Sequence, residues 1–415
     1  MMIKQTLLLL IAGLLLATSN LNAQIDRVGL YLTWQRDPTT TITVNWVNLY
    51  QEGTKTVWYR PLDSEQWKSK SGTHHQAVPS VLQVRLVELT GLKPDTMYEF
   101  SIGDEAIEDK KQIQRFRTMP AELTKPLTFV NGGDMMHSRE YLDAMNARAA
   151  KLDPSFVFIL GDIAYENGVY ATRYLDWFQS WTKLMRGKDG RLIPIIVGIG
   201  NHEVKGHYNG RIPEDAPYFY GFFALPENRS YYALDFGRYL SLIALDSAHT
   251  QPISGKQTEW LTEALAKRTG QQFVFPGYHW PAYGTTKAAP GKLPSEHERS
   301  VEIRTNWISQ FERFGVSAVF EHDHHTYKRT HPLRNHKRND ADGLLYLGDG
   351  AWGVTTRTPA TPEEAWYLAK SEARRHLHCV TLHPEGRIEF KAYDADGTVF
   401  DQTTLNSART RPDKK

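Results

Sequence analysis

Several short hydrophobic runs in this sequence each end in a side chain that could bind a metal ion. Carboxylate, phenolate and amide oxygens are the donors that hard, highly charged ions prefer, and imidazole nitrogens complete such coordination spheres. One carboxylate can bridge two ions held about 3.5 to 4 Å apart, a separation that suits in-line attack on a phosphate. The residue types and their order predict a dinuclear metal site with the ligands Asp134, Asp162, Tyr165, Asn201, His279, His322 and His324.

The runs that precede these ligands are typical of buried β-strands. Residues 156–160, 193–197 and 273–275 are such runs, and a candidate ligand follows each of them. In open α/β sheets, ligands bind beyond the carboxyl ends of the strands. We therefore expect loops on a rigid sheet to form the site.

The N-terminus has the pattern of a secretory signal peptide. Lys4 precedes a hydrophobic stretch at 7–17, and a short polar segment leads to Ala23. The stretch is too short to span a bilayer, so we expect cleavage after Ala23 and a secreted or periplasmic mature protein. No later segment is hydrophobic enough to cross a membrane, and no membrane insertion is expected after cleavage.

Composition and charge narrow the class of protein. With 415 residues and 40% hydrophobic content, the chain can bury two ordinary cores, so we expect two domains. The formal net charge of +2 moves closer to neutral once Lys4 is removed, which gives no support to nucleic-acid binding. Cys379 is the single cysteine, so no intrachain disulfide can form, and we expect this residue to lie in the core.

Two kinds of periodicity divide the mature chain. Residues 25–120 show the two-residue alternation and turn residues of an all-β sandwich, whereas strands and helices alternate over 125–405. Aromatic residues recur at helical spacing in 174–184 and 307–314, and these stripes should face the core. The expected fold class is α/β (α+β), with an N-terminal β-sandwich followed by a domain of two packed mixed β-sheets flanked by helices. Residues 406–415 are expected to form a disordered tail.

A series of motifs resembles the purple acid phosphatases, a branch of the calcineurin-like metallophosphoesterases. In chain order the motifs are GGD at 132–134, GDIAY at 161–165, GNHE at 200–203, HWP at 279–281 and HDH at 322–324. Residues 89–98 also resemble the tyrosine corner of fibronectin type III domains. The resemblance covers almost the whole mature chain and implies a calcineurin-like catalytic domain after a fibronectin type III-like sandwich.

The resemblance also implies how two metal ions share the ligands. A ferric ion is expected on Asp134, Asp162, Tyr165 and His324. A divalent ion, which could be Fe, Zn or Mn, is expected on Asp162, Asn201, His279 and His322, with Asp162 as the bridge. A Tyr165 phenolate on Fe(III) would give the purple colour. His202 matches the histidine that contacts the phosphate and helps to protonate the leaving oxygen.

The sequence departs from the family near the expected substrate. Glu321 replaces the usual glycine before His322, so it could weaken anion binding or contact a histidine beside the ligands. Residues 284–290 lack the histidines that hold the phosphate and leaving group in plant and mammalian members. The acid for the leaving group therefore stays open, and the candidate replacements are His325, His207 and His297.

A basic run follows the last motif. Beyond its first three residues, 322–338 is interpreted as a surface loop and strand edge, in which Tyr327 and Arg329 match family positions with structural roles. Charge runs usually face water. The alternative is that an anionic substrate is attracted by Lys328, Arg334, Lys337 and Arg338.

The expected function is that of an acid phosphatase that hydrolyses small phosphate monoesters with a metal-bound hydroxide. A phosphodiesterase on the same two ions is an alternative, because a diester needs the same nucleophile and a more open cleft. A third reading is a surface-binding protein whose sandwich acts while the metal domain is vestigial. The natural substrate, the divalent ion and the oligomeric state are left open.

Overall fold

The computed structural model of the chain describes residues 27–49, 54–74, 78–106, 109, 112–207 and 212–407. The expected signal peptide, residues 1–23, lies outside the described residues, as do residues 408–415 of the expected tail. The last strand continues through Asn406, and the Ser407 hydroxyl donates a hydrogen bond to the Gln272 carbonyl oxygen at 2.7 Å. The ordered chain thus extends past the predicted boundary at residue 405.

The N-terminal region is a sandwich of two four-stranded antiparallel sheets. The strands are β1 Arg27–Thr33, β2 Ile42–Asn48, β3 Thr56–Pro61, β4 Lys68–Ser71, β5 Thr73–His74, β6 Gln83–Leu89, β7 Met97–Ile102 and β8 Gln114–Arg117. The sheets have the orders β1-β2-β6-β5 and β4-β3-β7-β8. The Tyr98 hydroxyl accepts a hydrogen bond from the Lys93 N–H at 2.9 Å, which is the contact expected of a tyrosine corner.

The C-terminal region contains two larger mixed sheets. Their strands are β9 Leu127–Gly132, β10 Val157–Leu160, β11 Ile195–Gly198, β12 Tyr232–Phe236, β13 Leu240–Ala244, β14 Phe273–Gly277, β15 Val319–Glu321, β16 Tyr327–Thr330, β17 Leu333–Arg334, β18 Lys337–Arg338, β19 Tyr346–Gly348, β20 Leu368–Glu372, β21 Leu377–Leu382, β22 Arg387–Tyr393 and β23 Val399–Asn406. One sheet has the order β11-β10-β9-β21-β22-β23, the other β12-β13-β14-β15-β19-β16-β20, and β17 pairs with β18 as a separate hairpin.

Helices cover these sheets through hydrophobic faces. They are α1 Arg139–Lys151, α2 Thr172–Leu184, α3 Pro217–Phe222, α4 Lys256–Ala266, α5 Glu298–Ile303 and α6 Ser309–Phe314, with a π-helical turn at Arg304–Ile308. The aromatic stripes of α2 and of the segment that ends at Gly315 are buried as predicted, and Cys379 is buried too. The predicted fold class is confirmed. Among the described residues, none of the helices combines the length and hydrophobicity needed to span a bilayer.

The sandwich and the two larger mixed sheets share one continuous hydrophobic core. The Tyr31 ring of β1 stacks on Phe178 of α2 with centroids 4.7 Å apart, and its hydroxyl donates to the Phe222 carbonyl oxygen. The Leu30 N–H donates to the Thr182 hydroxyl oxygen at 2.8 Å. These contacts fix β1 on α2, so the sandwich is packed against the domain that carries the candidate site.

Candidate metal centre

Five loops meet at one edge of the two catalytic sheets. Strands β9, β10 and β11 are parallel, as are β13, β14 and β15, so their carboxyl ends point the same way. The loops that follow β9, β10, β11, β14 and β15 carry Asp134, Asp162, Asn201, His279 and the run 322–325. The local positions therefore agree with the strand-then-ligand pattern of the sequence.

Asp134, Asp162 and His279 form the buried centre of this edge. Each offers a ligand atom within 4.8 Å of the others, a grouping that could hold a metal ion. The His279 Nε2 lies 3.3 Å from Asp162 Oδ1 and 3.2 Å from Asn201 Oδ1. Its Nδ1 lies 2.8 Å from the Leu160 carbonyl oxygen, and this contact orients the imidazole so that Nε2 points to the carboxylates.

A second group of donors lies against Asp134. The Tyr165 hydroxyl is 3.1 Å from Asp134 Oδ1 and 3.0 Å from His325 Nε2. The His325 Nε2 is itself 3.1 Å from the same Asp134 oxygen. A phenol, a carboxylate and an imidazole thus converge, and the imidazole belongs to a residue that sequence reasoning had considered only for the leaving group.

Asp323 lies against the other side of the centre. Its Oδ1 is 3.5 Å from His279 Nε2, and its backbone N–H donates to Asp134 Oδ2 at 3.0 Å. The Lys287 ammonium donates to its Oδ2 at 2.5 Å. Burial opposes ionisation of this carboxyl, but Lys287 and His279 outweigh burial and hold the pKa of Asp323 well below its usual range.

The structure does not bring His322 and His324 into this group. The His324 Nδ1 accepts hydrogen bonds from the N–H groups of Thr285 and Thr286, both at 3.0 Å. Burial lowers the pKa of His324. Because Nδ1 accepts these two bonds, the proton of the neutral ring is on Nε2, which lies 3.6 Å from Asp323 Oδ2. Such a nitrogen has no lone pair to offer a metal ion.

The His322 ring lies behind the centre rather than at it. A Cβ added at Gly133 would lie 2.9 Å from His322 Cγ, so the ring fills the space that this glycine leaves. Neither ring nitrogen has a hydrogen-bond partner within the part of the chain that the structure describes. Burial, followed by the nearby His279 and His378, lowers the pKa of His322 well below its usual value. The residues that face the centre are thus each one position later than predicted.

Five of the residues around the centre share an unusual backbone conformation. Asp134, Asp162, Tyr165, Asp323 and His325 have φ values of 58°, 55°, 57°, 77° and 59°. Non-glycine residues in this left-handed region each cost about 1 to 3 kcal/mol and persist where the surroundings hold them. Neither histidine of the predicted HDH pair has this conformation. The turn after β15 therefore presents alternate side chains, 323 and 325, to the centre.

Glu203 joins two of the ligand loops from behind. Its carboxylate accepts hydrogen bonds from the N–H groups of Asp162, Ile163 and Gly200 at 2.7, 2.8 and 2.8 Å. Burial and the negative charge of Asp162 raise the pKa of Glu203 to about 7. Burial also favours a higher pKa for Asp162, but the nearby His279 and His202 outweigh burial and lower the pKa of this carboxyl.

His202 stands at the mouth of the site, where its side chain is 22% exposed. Its backbone N–H donates to Asp162 Oδ1 at 2.9 Å, and its Nε2 is 3.9 Å from Asp162 Oδ2. Its Nδ1 contacts the Asn167 amide oxygen, and His207 packs edge-on with ring centroids 4.9 Å apart. His297 instead packs on Trp280 at 4.4 Å.

The remaining charged residues of the last motif have other roles. Lys328 is fully buried, and its ammonium lies 2.5 Å from Glu321 Oε2 and 3.1 Å from Asp349 Oδ1. Glu321 also accepts from the Tyr278 hydroxyl at 2.7 Å, so it pairs with a lysine rather than with a histidine of the site. Because Lys328 is enclosed, it cannot meet a substrate. The surface hairpin β17–β18 carries Arg334, Lys337 and Arg338.

Comparisons with known proteins agree with this architecture. Residues 28–118 match the purple acid phosphatase N-terminal domain, and residues 127–324 match the calcineurin-like phosphoesterase domain. Purple acid phosphatase 15 of Arabidopsis thaliana is 25% identical over 64% of this chain and 53% of its own length. An uncharacterized protein of Mycobacterium tuberculosis is 26% identical over 80% of this chain and 64% of its own length.

Two solved structures share the fold. Purple acid phosphatase PPD1 from yellow lupin (Lupinus luteus) seeds has a TM-score of 0.73 at 15% identity, covering 91% of this chain and 74% of that one. PhoD has a TM-score of 0.66 at 13% identity, covering 92% of both chains. These likenesses describe the fold alone.

The match of residues 127–324 defines the class of the C-terminal region, which is that of the calcineurin-like phosphoesterases. The order of the two matched domains identifies the family within this class, because the purple acid phosphatase N-terminal domain precedes the phosphoesterase domain. The chain belongs to the purple acid phosphatase family. It spans between half and two thirds of the length of the curated relatives named above.

Proposed function

We propose that this protein is a metal-dependent hydrolase of phosphate monoesters, an acid phosphatase that acts outside the cytoplasm. The observation that carries the proposal is the convergence of Asp134, Asp162, Tyr165, Asn201 and His279, from four separate loops, in a chain of the purple acid phosphatase family. Such buried carboxylates in one place are costly without a counter-charge. Two cations would supply that counter-charge.

The first position suits a ferric ion. Its proposed ligands are Asp134, Asp162, Tyr165 and His325. Burial and the charge of Asp134 raise the pKa of the Tyr165 phenol well above its usual value in the free protein, so a highly charged ion is needed to hold this group as a phenolate. Its oxygen is already in contact with Asp134 and His325.

The second position suits a divalent ion. Its proposed ligands are Asp162, Asn201, His279 and Asp323, and Asp162 is the bridge. When bound, the two ions supply positive charge for the phosphate and lower the pKa of water so that water can attack phosphorus.

The chain's own groups complete the site. His202 is placed by Asn167 at the open side, where it can bind a phosphate oxygen and give a proton to the leaving oxygen. Lys287 lies in the segment 284–290 that lacks histidines, and its ammonium is paired with the Asp323 carboxylate. The left-handed backbone of four proposed ligands holds their oxygens in place before substrate arrives, which is how preorganised charge stabilises a transition state; these are Asp134, Asp162, Tyr165 and Asp323.

Hydrolysis of nitrophenyl phosphate and of bis(nitrophenyl) phosphate by the purified protein tests this proposal. We expect faster turnover of the monoester, iron in the elemental analysis, and a visible absorption band that Tyr165→Phe removes. A preference for the diester would instead favour a phosphodiesterase on the same ions. Absence of turnover on both esters with metals bound would contradict hydrolysis altogether, and N-terminal sequencing of exported protein tests cleavage after Ala23.

A further inference from the structure

We infer that Asp323 makes the second metal position an oxygen-rich site. Such a site should bind Mn(II) in preference to Zn(II) more strongly than the same site with a histidine in place of Asp323. This inference rests on the proposed dinuclear centre and deepens it. Three oxygen donors, from Asp162, Asn201 and Asp323, face one imidazole nitrogen, from His279. Carboxylate and amide oxygens suit Mn(II), whereas imidazole raises the relative affinity for Zn(II).

Asp323 is buried beside the proposed second metal position. Its side chain is 2% exposed, and its Oδ1 approaches the same His279 nitrogen that contacts Asp162 and Asn201. The backbone N–H of Asp323 also donates to Asp134, which ties this residue to the ligand loop after β9. A cation beside His279 would therefore meet the Asp323 carboxylate.

Neither of the two histidines next to Asp323 can replace it as a ligand at the second metal position. The two N–H bonds to His324 Nδ1 leave the ring proton on Nε2, which lies 3.6 Å from Asp323 Oδ2 and has no lone pair for a cation. The His322 ring lies under Gly133, so bringing it to the centre would require the turn to shift by one residue.

Lys287 offsets the additional negative charge. Its ammonium contacts Asp323 Oδ2 and lies 4.7 Å from the centroid of the Trp280 ring. The other oxygen of Asp323, Oδ1, is the one that approaches His279. A carboxylate held in this way can give one oxygen to a cation while the other stays paired with the lysine.

Metal titration of the chelator-treated full chain tests the inference. We expect Asp323→His to raise the affinity for Zn(II) relative to Mn(II) by roughly tenfold or more over the unmodified protein, since an imidazole replaces a carboxylate. The matched control is His322→Asn, one residue earlier, which should leave that ratio unchanged. Calorimetry gives the two affinities, and elemental analysis gives the number of ions bound.

X-ray absorption at the zinc edge of the unmodified, zinc-loaded protein gives a second readout that needs no variant. One imidazole per zinc is expected. A higher imidazole count, or loss of the second ion in His322→Asn, would overturn the inference and restore His322 as a ligand. Phosphatase turnover separates the two proposals, because an active enzyme with an unchanged metal ratio in Asp323→His rejects only the role of Asp323.

Discussion

The edge that carries the candidate centre and the junction between the sandwich and α2 are both buried, but their chemistry is opposite. At the edge, carboxylates, histidines and residues with a left-handed backbone are concentrated. Among the described residues, both ring nitrogens of His322 and the Nε2 of His324 lack hydrogen-bond partners. At the junction, Tyr31 and Phe178 stack, and the polar atoms of Leu30 and Thr182 pair. The edge contains strained residues that form the candidate centre, whereas the junction contributes to the stability of the fold.

This contrast predicts that mutations at the edge and at the junction have separate effects on catalytic activity and on stability. Changes at the edge should reduce hydrolysis with little loss of stability, since strained and like-charged groups are removed. Changes at the junction should reduce stability while the folded fraction keeps its activity. Three variants test this separation, and a fourth, His376→Gln, tests how the same domain responds to acid; they begin with the largest expected effect.

Asp162→Ala should reduce turnover at least about a thousandfold, because the bridging carboxylate is lost and metal charge is worth several kcal/mol to the transition state. Turnover is measured per folded molecule in this variant, because the change also removes the attraction of His279 and His202 that lowers the pKa of Asp162. Asp176→Ala, on the exposed face of α2, is the control and should change neither property. Retained turnover in Asp162→Ala would remove the catalytic role of the centre.

Tyr31→Ala should lower the free energy of unfolding by about 3 to 5 kcal/mol, because a fully buried aromatic ring leaves a cavity. Tyr31→Phe keeps the stacking on Phe178 and loses only the hydrogen bond to Phe222, so it should cost about 1 kcal/mol. Denaturant unfolding measures both changes. A large loss of turnover per folded molecule in Tyr31→Ala would show that the sandwich positions the centre directly.

His376 should make the catalytic domain sensitive to acid. Burial lowers the pKa of His376 to about 4, from 6.5 in the unfolded chain. Its contribution to stability is therefore present above pH 6.5 and is lost as the pH falls from 6.5 to 4, by about 3 kcal/mol in total. His376→Gln should flatten this part of the stability–pH curve.

Two further variants sharpen the acid prediction. His331→Gln should change the slope less, because His331 is half-buried and the pKa of its ring is only moderately lowered by burial. Tyr31→Ala should keep the slope while it lowers the whole curve, because distant sites act additively. An unchanged slope in His376→Gln would contradict the assignment of the acid sensitivity to this residue.

His202→Ala should lower kcat roughly a hundredfold, the lower range for loss of a positioned acid or phosphate contact. Its effect on unfolding should stay within about 0.5 kcal/mol, as is usual for a partly exposed side chain. Asn167→Ala keeps the imidazole and loses only its orienting contact, so a smaller decrease in kcat is expected. An equal decrease in both variants would indicate that orientation accounts for the whole effect of His202.

Local sequence patterns were sufficient for much of the fold. Two-residue alternation predicted the sandwich to which β2 belongs, although β2 itself is buried on both faces. The helical spacing of aromatics predicted α2, because residues three and four apart lie on the same face of a helix. Strand β4 escaped prediction because its residues, KSKS, are polar and largely exposed, so that only pairing with β3 makes it a strand.

The same distinction applies inside the candidate centre. Sequence alone indicated Asp134, Asp162, Tyr165, Asn201 and His279, because each is a lone donor of its type in a short motif after a strand. The run 322–325 has the sequence HDHH, so four neighbouring side chains could bind metal ions. Alternate residues could face the centre as the pair 322 and 324 or as the pair 323 and 325, and the local sequence does not distinguish the two pairs. Only the folded chain decides, because left-handed turns aim 323 and 325 at the centre while backbone N–H groups from 285 and 286 engage the ring at 324.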